Sequence, residues 1–116
     1  MQACMDFSKD LICDNLSVVD DVLHFAGQDT TALAEKYGTP LYLMDENQIR
    51  ENCRIYKNAF AKYFDGNALP LFASKAASFQ KIYKIVAEEG MGIDTVSSGE
   101  IYTAMRAGFN LKNAYF

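Results

Sequence analysis

After Gly38, the chain alternates between short apolar runs and longer segments in which an apolar residue recurs every three or four positions. Short apolar runs predict buried strands, and the longer spacing predicts amphipathic helices. The longest helical pattern begins after Asp45, its predicted cap. Its apolar stripe consists of Ile49, Cys53, Tyr56, Phe60 and Tyr63. The pattern predicts the order strand, helix, strand, helix, strand, helix, strand.

Four short segments are the predicted strands: 41–44, 68–73, 92–96 and 114–116. Strands that alternate with helices at this spacing form right-handed parallel βαβ units. A Gly-x-Gly-x-x-Gly motif, which would indicate a dinucleotide-binding Rossmann domain, does not follow the first strand. The pattern therefore favours an α/β fold of the (β/α)8 TIM-barrel type.

The sequence is short for such a barrel. A complete TIM barrel takes about 250 residues, whereas this sequence has 116 residues, enough for about three βα units, and stops within a predicted strand. We therefore expect a truncated barrel that is part of a longer protein. Its parallel sheet would have open edges, which favour dimerisation or strand exchange.

Three regions are expected along the chain. Residues 1–14 have no clear period and are interpreted as a tail. Residues 15–38 are expected to form a short β segment and then a helix capped by Asp29 or Thr30. Residues 39–116 would hold the first βα units of the barrel.

Polar residues mark the predicted beginnings of two later helices. Ser78 is the predicted cap of the helix that ends before Gly90, and Ser97 with Glu100 forms a capping box for the helix over 99–107. Three glycines in this part are interpreted as turn residues, namely Gly90, Gly92 and Gly99.

Composition narrows the function classes. Half of the residues are hydrophobic, and the net charge is −4 with no local basic patch, which argues against nucleic-acid binding. No apolar run approaches the roughly 18 residues of a membrane span. The three cysteines form no Cys-x-x-Cys pair, and His24 is the only histidine. We therefore expect no metal site, no membrane partner and a reduced, cytoplasmic setting.

Lys75 is the first candidate for chemistry. It follows the predicted strand over 68–73, and α/β folds place their chemistry at the carboxyl ends of parallel strands. Burial against apolar walls disfavours the charged form of an amine, which makes the amine a usable nucleophile for an aldehyde. A solvated lysine at a strand end is the alternative interpretation from the strand alone.

A family resemblance rests on three segments taken together: Gly-Thr-Pro-Leu-Tyr at 38–42, Phe-Ala-Ser-Lys-Ala at 72–76, and Gly-Met-Gly-Ile-Asp-Thr-Val-Ser-Ser-Gly-Glu at 90–100, followed by Ala-Gly-Phe at 107–109. The sequence over about 16–116 resembles the amino-terminal part of the meso-diaminopimelate decarboxylases, pyridoxal-phosphate enzymes with an alanine-racemase-like barrel. The family usually has Asn two residues after the lysine, where this sequence has Ala77. Residues 16–25 would belong to a second, β-rich domain.

The resemblance implies roles for three residues. Lys75 matches the Schiff-base lysine that holds the aldehyde of pyridoxal 5'-phosphate. Asp94, on the next predicted strand, would hold and orient the released lysine, although a loop or capping aspartate is the alternative. Ala73 would be small so that the cofactor ring can lie against it. Ser97 and Glu100 are interpreted as a helix cap rather than as substrate contacts.

The implied activity of the full-length parent is decarboxylation of meso-2,6-diaminopimelate to L-lysine, the last step of lysine synthesis, by a cytoplasmic homodimer. The 116-residue chain alone is expected to be inactive, because no glycine-rich phosphate cradle follows Lys75. Three alternatives stay open. They are an arginine- or ornithine-type decarboxylase on the same barrel, an amino-acid racemase, and a non-catalytic pyridoxal-phosphate-binding or regulatory relative.

Overall fold

The computed structural model describes residues 13–116, so most of the predicted tail lies outside the described residues. The chain divides into two units, the first ending at Asp45 and the second running from Glu46 to Phe116. The first unit contains β1 (Leu16–Val19), β2 (Val22–Phe25), β3 (Gln28–Asp29) and α1 (Thr30–Tyr37).

The three strands of the first unit form an antiparallel sheet in the order β1-β2-β3. Asp20 and Asp21 connect β1 to β2 and both have positive φ, 50° and 60°, as a two-residue hairpin turn of the primed type requires. The Asp29 carboxylate accepts hydrogen bonds from the backbone N–H groups of Thr31 and Ala32, at 2.7 and 3.0 Å. The predicted cap of α1 is thereby confirmed.

The segment over 41–44 is not a strand, so that prediction is wrong. A β-strand is defined by backbone hydrogen bonds to a neighbouring strand. The apolar pattern within one segment does not show whether a neighbouring strand is available to pair with it. The segment keeps an alternation of partly buried and exposed residues, with Leu41 and Leu43 less exposed than Tyr42 and Met44.

The second unit alternates helices and strands as predicted. Its elements are α2 (Glu46–Tyr63), β4 (Leu71–Ala73), α3 (Gln80–Glu88), β5 (Gly92–Asp94), α4 (Ser98–Arg106) and β6 (Ala114–Tyr115). The strands form a parallel sheet in the order β4-β5-β6. A mixed α/β fold with parallel βαβ units is therefore confirmed.

The core of this unit lies between the sheet and the helices α3 and α4. Helix α3 buries one apolar face made of Ile82, Tyr83, Ile85 and Val86. Ile93 of β5 and Ala104 of α4 are fully buried against this face, and Phe109 closes the cluster. Since Ile93 faces the helices, its neighbours along β5 face the other side of the sheet.

Helix α2 is joined to α3 by a group of charged side chains. Arg50 Nη2 lies 2.7 Å from Glu46 Oε1 and 2.6 Å from Glu88 Oε2, and Arg50 Nη1 lies 3.0 Å from Glu89 Oε1. Glu89 also pairs with Arg54 at 2.9 Å.

In residues 13–116, no helix combines the length and the apolar character that a membrane crossing needs.

Candidate active site

Lys75 lies directly beyond the carboxyl end of a parallel strand, as predicted. Strand β4 ends at Ala73, and the chain enters a single 3₁₀ turn that begins at Ser74 and carries Lys75. The Ser74 carbonyl accepts hydrogen bonds from the Ala77 N–H at 3.2 Å and from Ser78 Oγ at 2.9 Å. Ser74 is fully buried while Lys75 is exposed, so the backbone of the turn is held and the amine is accessible.

Asp94 is the last residue of β5 and is paired in register with Ala73 of β4. On its other side it is paired with Tyr115 of β6. Register partners in a ladder point to the same face, so these three residues form a row across the sheet. The row lies on the face opposite Ile93, away from the helical core, and all three of its members are exposed. The structure thus brings Ala73 and Asp94 together next to the turn of Lys75.

Gly92 lies two residues before Asp94 and is part of β5, not of a turn, so the interpretation from sequence is wrong there. A Cβ at Gly92 would overlap Leu71 Cδ2 and would lie 2.9 Å from the Asn113 carbonyl oxygen. Only glycine fits between these atoms. Gly99 lies inside α4 and not in a turn, whereas Gly90 has φ of 72° and does end α3.

Glu100 forms a modified capping box at the start of α4. Ser97 Oγ accepts a hydrogen bond from the Glu100 N–H at 3.3 Å, as the motif predicts. The Glu100 carboxylate, however, accepts from the Val96 N–H at 2.7 Å instead of from the N–H of Ser97 itself. This bond lowers the pKa of Glu100 against the opposing effect of burial, so a charged carboxylate lies buried at the helix N-terminus.

Ser78 is not a helix cap, which corrects the prediction. Helix α3 has Phe79 at its N-cap without a side-chain hydrogen bond. Ser78 Oγ lies 2.9 Å from the Ser74 carbonyl oxygen and 3.4 Å from Glu100 Oε1, and it accepts a hydrogen bond from the Tyr83 hydroxyl at 3.2 Å. Sequence reasoning missed this link because the motifs around Ser78 and Glu100 also fit local caps.

An apolar cavity of about 530 Å³ lies in the same unit, between α2 and the edge strand β4. Its walls include Cys53 and Tyr56 from the helix and Phe72 from the strand, but neither Lys75 nor Asp94. Burial raises the pKa of the Cys53 thiol, which keeps it protonated and unreactive. The cavity therefore meets the row of site residues only at Ala73, which also lines it.

Comparison with known proteins decides the family. Residues 46–116 match the family described as pyridoxal-dependent decarboxylase, pyridoxal binding domain. The chain belongs to this family. The matched residues include Lys75, Asp94 and Glu100, so the whole candidate site lies within the pyridoxal binding domain of the decarboxylases.

Similar proteins carry consistent names. The chain is 45% identical over 94 residues to the diaminopimelate decarboxylase of Bacillus methanolicus, covering 81% of this chain and 22% of that protein. It is 47% identical over 88 residues to that of Methanothermobacter thermautotrophicus, covering 76% and 20%. The chain thus spans only about a fifth of the length of these decarboxylases.

Solved structures agree with the sequence matches. The crystal structure of diaminopimelate decarboxylase from M. jannaschii superposes with a TM-score of 0.79 at 36% identity, covering 87% of this chain and 24% of that chain. A second structure of that enzyme, in co-complex with L-lysine, gives a TM-score of 0.77 at 35% identity. The bound L-lysine is a ligand of that protein.

Proposed function

We propose that the protein of which this chain is part decarboxylates meso-2,6-diaminopimelate to L-lysine and carbon dioxide with pyridoxal 5'-phosphate. The observation that carries the proposal is the position of Lys75 directly after β4, with Asp94 ending the neighbouring strand. The bound cofactor would supply an aldehyde for the amine and a ring that accepts the electron pair of the broken bond. The family match and the names of the similar proteins support the same activity.

The residues of the chain fit this cofactor. Lys75 offers an accessible amine on a turn whose backbone is fixed by Ala77 and Ser78. Ala73, one strand position before the turn, is small and exposed, so a flat ring can approach the sheet there. Asp94 offers a carboxylate on the same face as Ala73. Together these residues place an amine and a carboxylate beside an exposed sheet surface at the carboxyl ends of two parallel strands.

Each residue has a defined task in the reaction. Lys75 would hold the cofactor through its amine, and when it is free the same amine can carry a proton to the substrate carbon. Asp94 accepts a hydrogen bond from the released amine and keeps it near the reacting carbon. Ala73 leaves the space for the ring. Loss of carbon dioxide leaves an electron pair on the α-carbon, and protonation there completes L-lysine.

The fold and assembly of the parent belong to the same proposal. The parallel sheet, whose edges within residues 13–116 are β4 and β6, would be part of a (β/α)8 barrel. The parent binds a small amino-acid substrate and is a cytoplasmic homodimer without nucleic-acid or membrane partners. Residues 16–25 belong to a second, β-rich domain, and residues 39–116 begin the barrel.

The direct test is borohydride trapping in the full-length protein loaded with cofactor. Reduction should attach the cofactor to the peptide that contains Lys75, and Lys75→Ala should abolish both attachment and carbon dioxide release. Lys84→Ala, which removes an exposed lysine of α3, is the matched control and should change neither. Attachment at another lysine, or unchanged activity of Lys75→Ala, would contradict the proposal.

Substrate choice is tested separately with the same protein. Carbon dioxide release should be fast with meso-diaminopimelate and at least 100-fold slower with L-ornithine and L-arginine, because a decarboxylase site built for one carboxylate-bearing side chain leaves polar groups unpaired with the others. Preference for ornithine or arginine would favour the alternative decarboxylases. Inversion at the α-carbon without carbon dioxide would identify a racemase.

A further inference from the structure

The Ser74 hydroxyl is buried without a hydrogen-bond partner among the residues that the structure describes. The residue is fully buried, so water does not reach the hydroxyl from the surface of the chain. Buried polar atoms of native proteins nearly always have a partner, and an exception calls for an explanation. Alanine would fill almost the same space without this cost. The hydroxyl therefore indicates a role other than the stability of this fold.

The carboxylate of Glu100 is an acceptor close to this hydroxyl. Ser74 is among the groups that lower the pKa of Glu100, after the Val96 N–H, although its hydroxyl makes no hydrogen bond there. Ser78 Oγ has a single proton, and its shorter contact is with the Ser74 carbonyl at 2.9 Å. Glu100 Oε1 is left with a 3.4 Å contact. The Ser74 hydroxyl thus has no acceptor, and the nearby Glu100 Oε1 has only a long contact with a donor.

Ser74, Ser78 and Glu100, which we name the serine–glutamate cluster, connect the two loops of the candidate site. Ser74 directly precedes Lys75 in the loop after β4. Glu100 holds the Val96 N–H, which lies two residues after Asp94 in the loop after β5. The cluster therefore links the backbone next to Lys75 with the loop that follows Asp94.

We propose that Ser74 is a positioning residue for Lys75: its hydroxyl donates to Glu100 Oε1 when the cofactor is held on Lys75, and this bond fixes the lysine turn against the loop after Asp94. The inference rests on the proposed function, because it needs a cofactor on Lys75. A hydrogen bond to a charged acceptor is among the stronger ones, so its formation is large enough to select one orientation of the turn.

The test uses the full-length protein and three measurements on Ser74→Ala. They are the urea midpoint of the cofactor-free protein, the affinity for pyridoxal 5'-phosphate, and the visible circular dichroism of the bound cofactor, which reports its orientation. The midpoint should stay unchanged or rise, since an unpaired polar group is removed. Affinity should fall at least about fivefold, the equivalent of one hydrogen bond, and the dichroic band should change. Ser98→Ala, an exposed serine in α4, should alter none of the three.

A second variant tests whether Ser74 acts through Glu100. Glu100→Gln keeps an oxygen for the Val96 N–H but removes the charge. In that background, Ser74→Ala should have less than half of its effect on affinity and on the dichroic band. An undiminished effect would overturn the role of Glu100 as acceptor and with it the inference.

Two further results would overturn the inference while leaving the proposed function intact. The first is that Ser74→Ala binds the cofactor with the affinity and dichroism of the unaltered protein. The second is that it unfolds at clearly lower urea and also binds more weakly, which would indicate a structural role only. Failure of the unaltered protein to trap cofactor on Lys75 with borohydride would instead overturn the proposed function itself.

Discussion

Ala73 and Asp94 are paired in register at the carboxyl ends of adjacent parallel strands, 21 positions apart in the sequence. The pairing places the Asp94 carboxylate beside the strand that leads into Lys75. An amine and a carboxylate that are 19 positions apart thereby come to the same end of one sheet. The helix α3 between them supplies the buried face that holds this arrangement in place.

Asp94→Asn in the full-length protein should reduce the rate of decarboxylation more than cofactor attachment. The amide keeps the shape but loses the charge that holds the released amine, so we expect kcat to fall about 100-fold, the range for loss of a group that assists proton transfer. KM should change little. Steady-state carbon dioxide release measures both constants, and borohydride trapping should still label Lys75.

The control for this variant is Asp65→Asn, which makes the same exchange in an exposed loop with positive φ that asparagine also tolerates. It should leave kcat and KM unchanged. If Asp94→Asn and the unaltered protein had equal rates, Asp94 would have no role in the reaction.

Gly92→Ala should destabilise the protein, because the new Cβ would overlap Leu71 Cδ2 and the Asn113 carbonyl. Overpacking of this kind costs about 1–3 kcal/mol of the free energy of unfolding. Gly99→Ala is the matched control, because its new Cβ would lie 4.0 Å from Ser97 Oγ, an ordinary contact distance, and the site is helical. It should stabilise by about 0.4–1 kcal/mol. Urea unfolding of the two variants should therefore give opposite signs.

The buried carboxylate of Glu100 predicts a pH dependence of stability. Its pKa is lowered in the folded chain, chiefly by the Val96 N–H, so the unfolded chain binds its proton more readily. The stabilisation from this group is present above the unfolded pKa, near 4.3, and is lost as the pH falls through the lower folded pKa. In Glu100→Gln, the urea midpoint should therefore change less between pH 5 and pH 3 than in the unaltered protein. An equally steep fall of the midpoint in both proteins would contradict this assignment.

Arg50→Ala should weaken the packing of α2 on α3, because Arg50 contacts Glu46, Glu88 and Glu89. These acidic groups would then lie close together without that cation. The urea midpoint should fall, and the difference from the parent should shrink in 1 M salt, where charges are screened within about 3 Å. Lys84→Ala, whose only contact in this group is a 3.9 Å approach to Glu88, should have a much smaller effect. A loss that is independent of salt would point to packing of the arginine stem instead.

The sequence by itself determined the local elements and their order. The cap at Asp29, the stripe of α2 and the stop at Gly90 act within a few residues, so their effects can be seen in the pattern. The alternation of strands with helices also determined the parallel sheet, because a crossover helix allows little else. The place of Lys75 directly after a strand followed from the same pattern.

Only the tertiary structure decided which distant groups meet. Segment 41–44 has the pattern of a strand and forms none, since ladder bonds depend on a neighbour. Ser78 and Glu100 have sequences that fit local caps, and the fold instead joins them across two loops. Position 92 must be glycine because a Cβ there would overlap the side chain of Leu71, which is 21 positions away. Contacts of this kind arise from packing between elements, and packing leaves no period in the sequence.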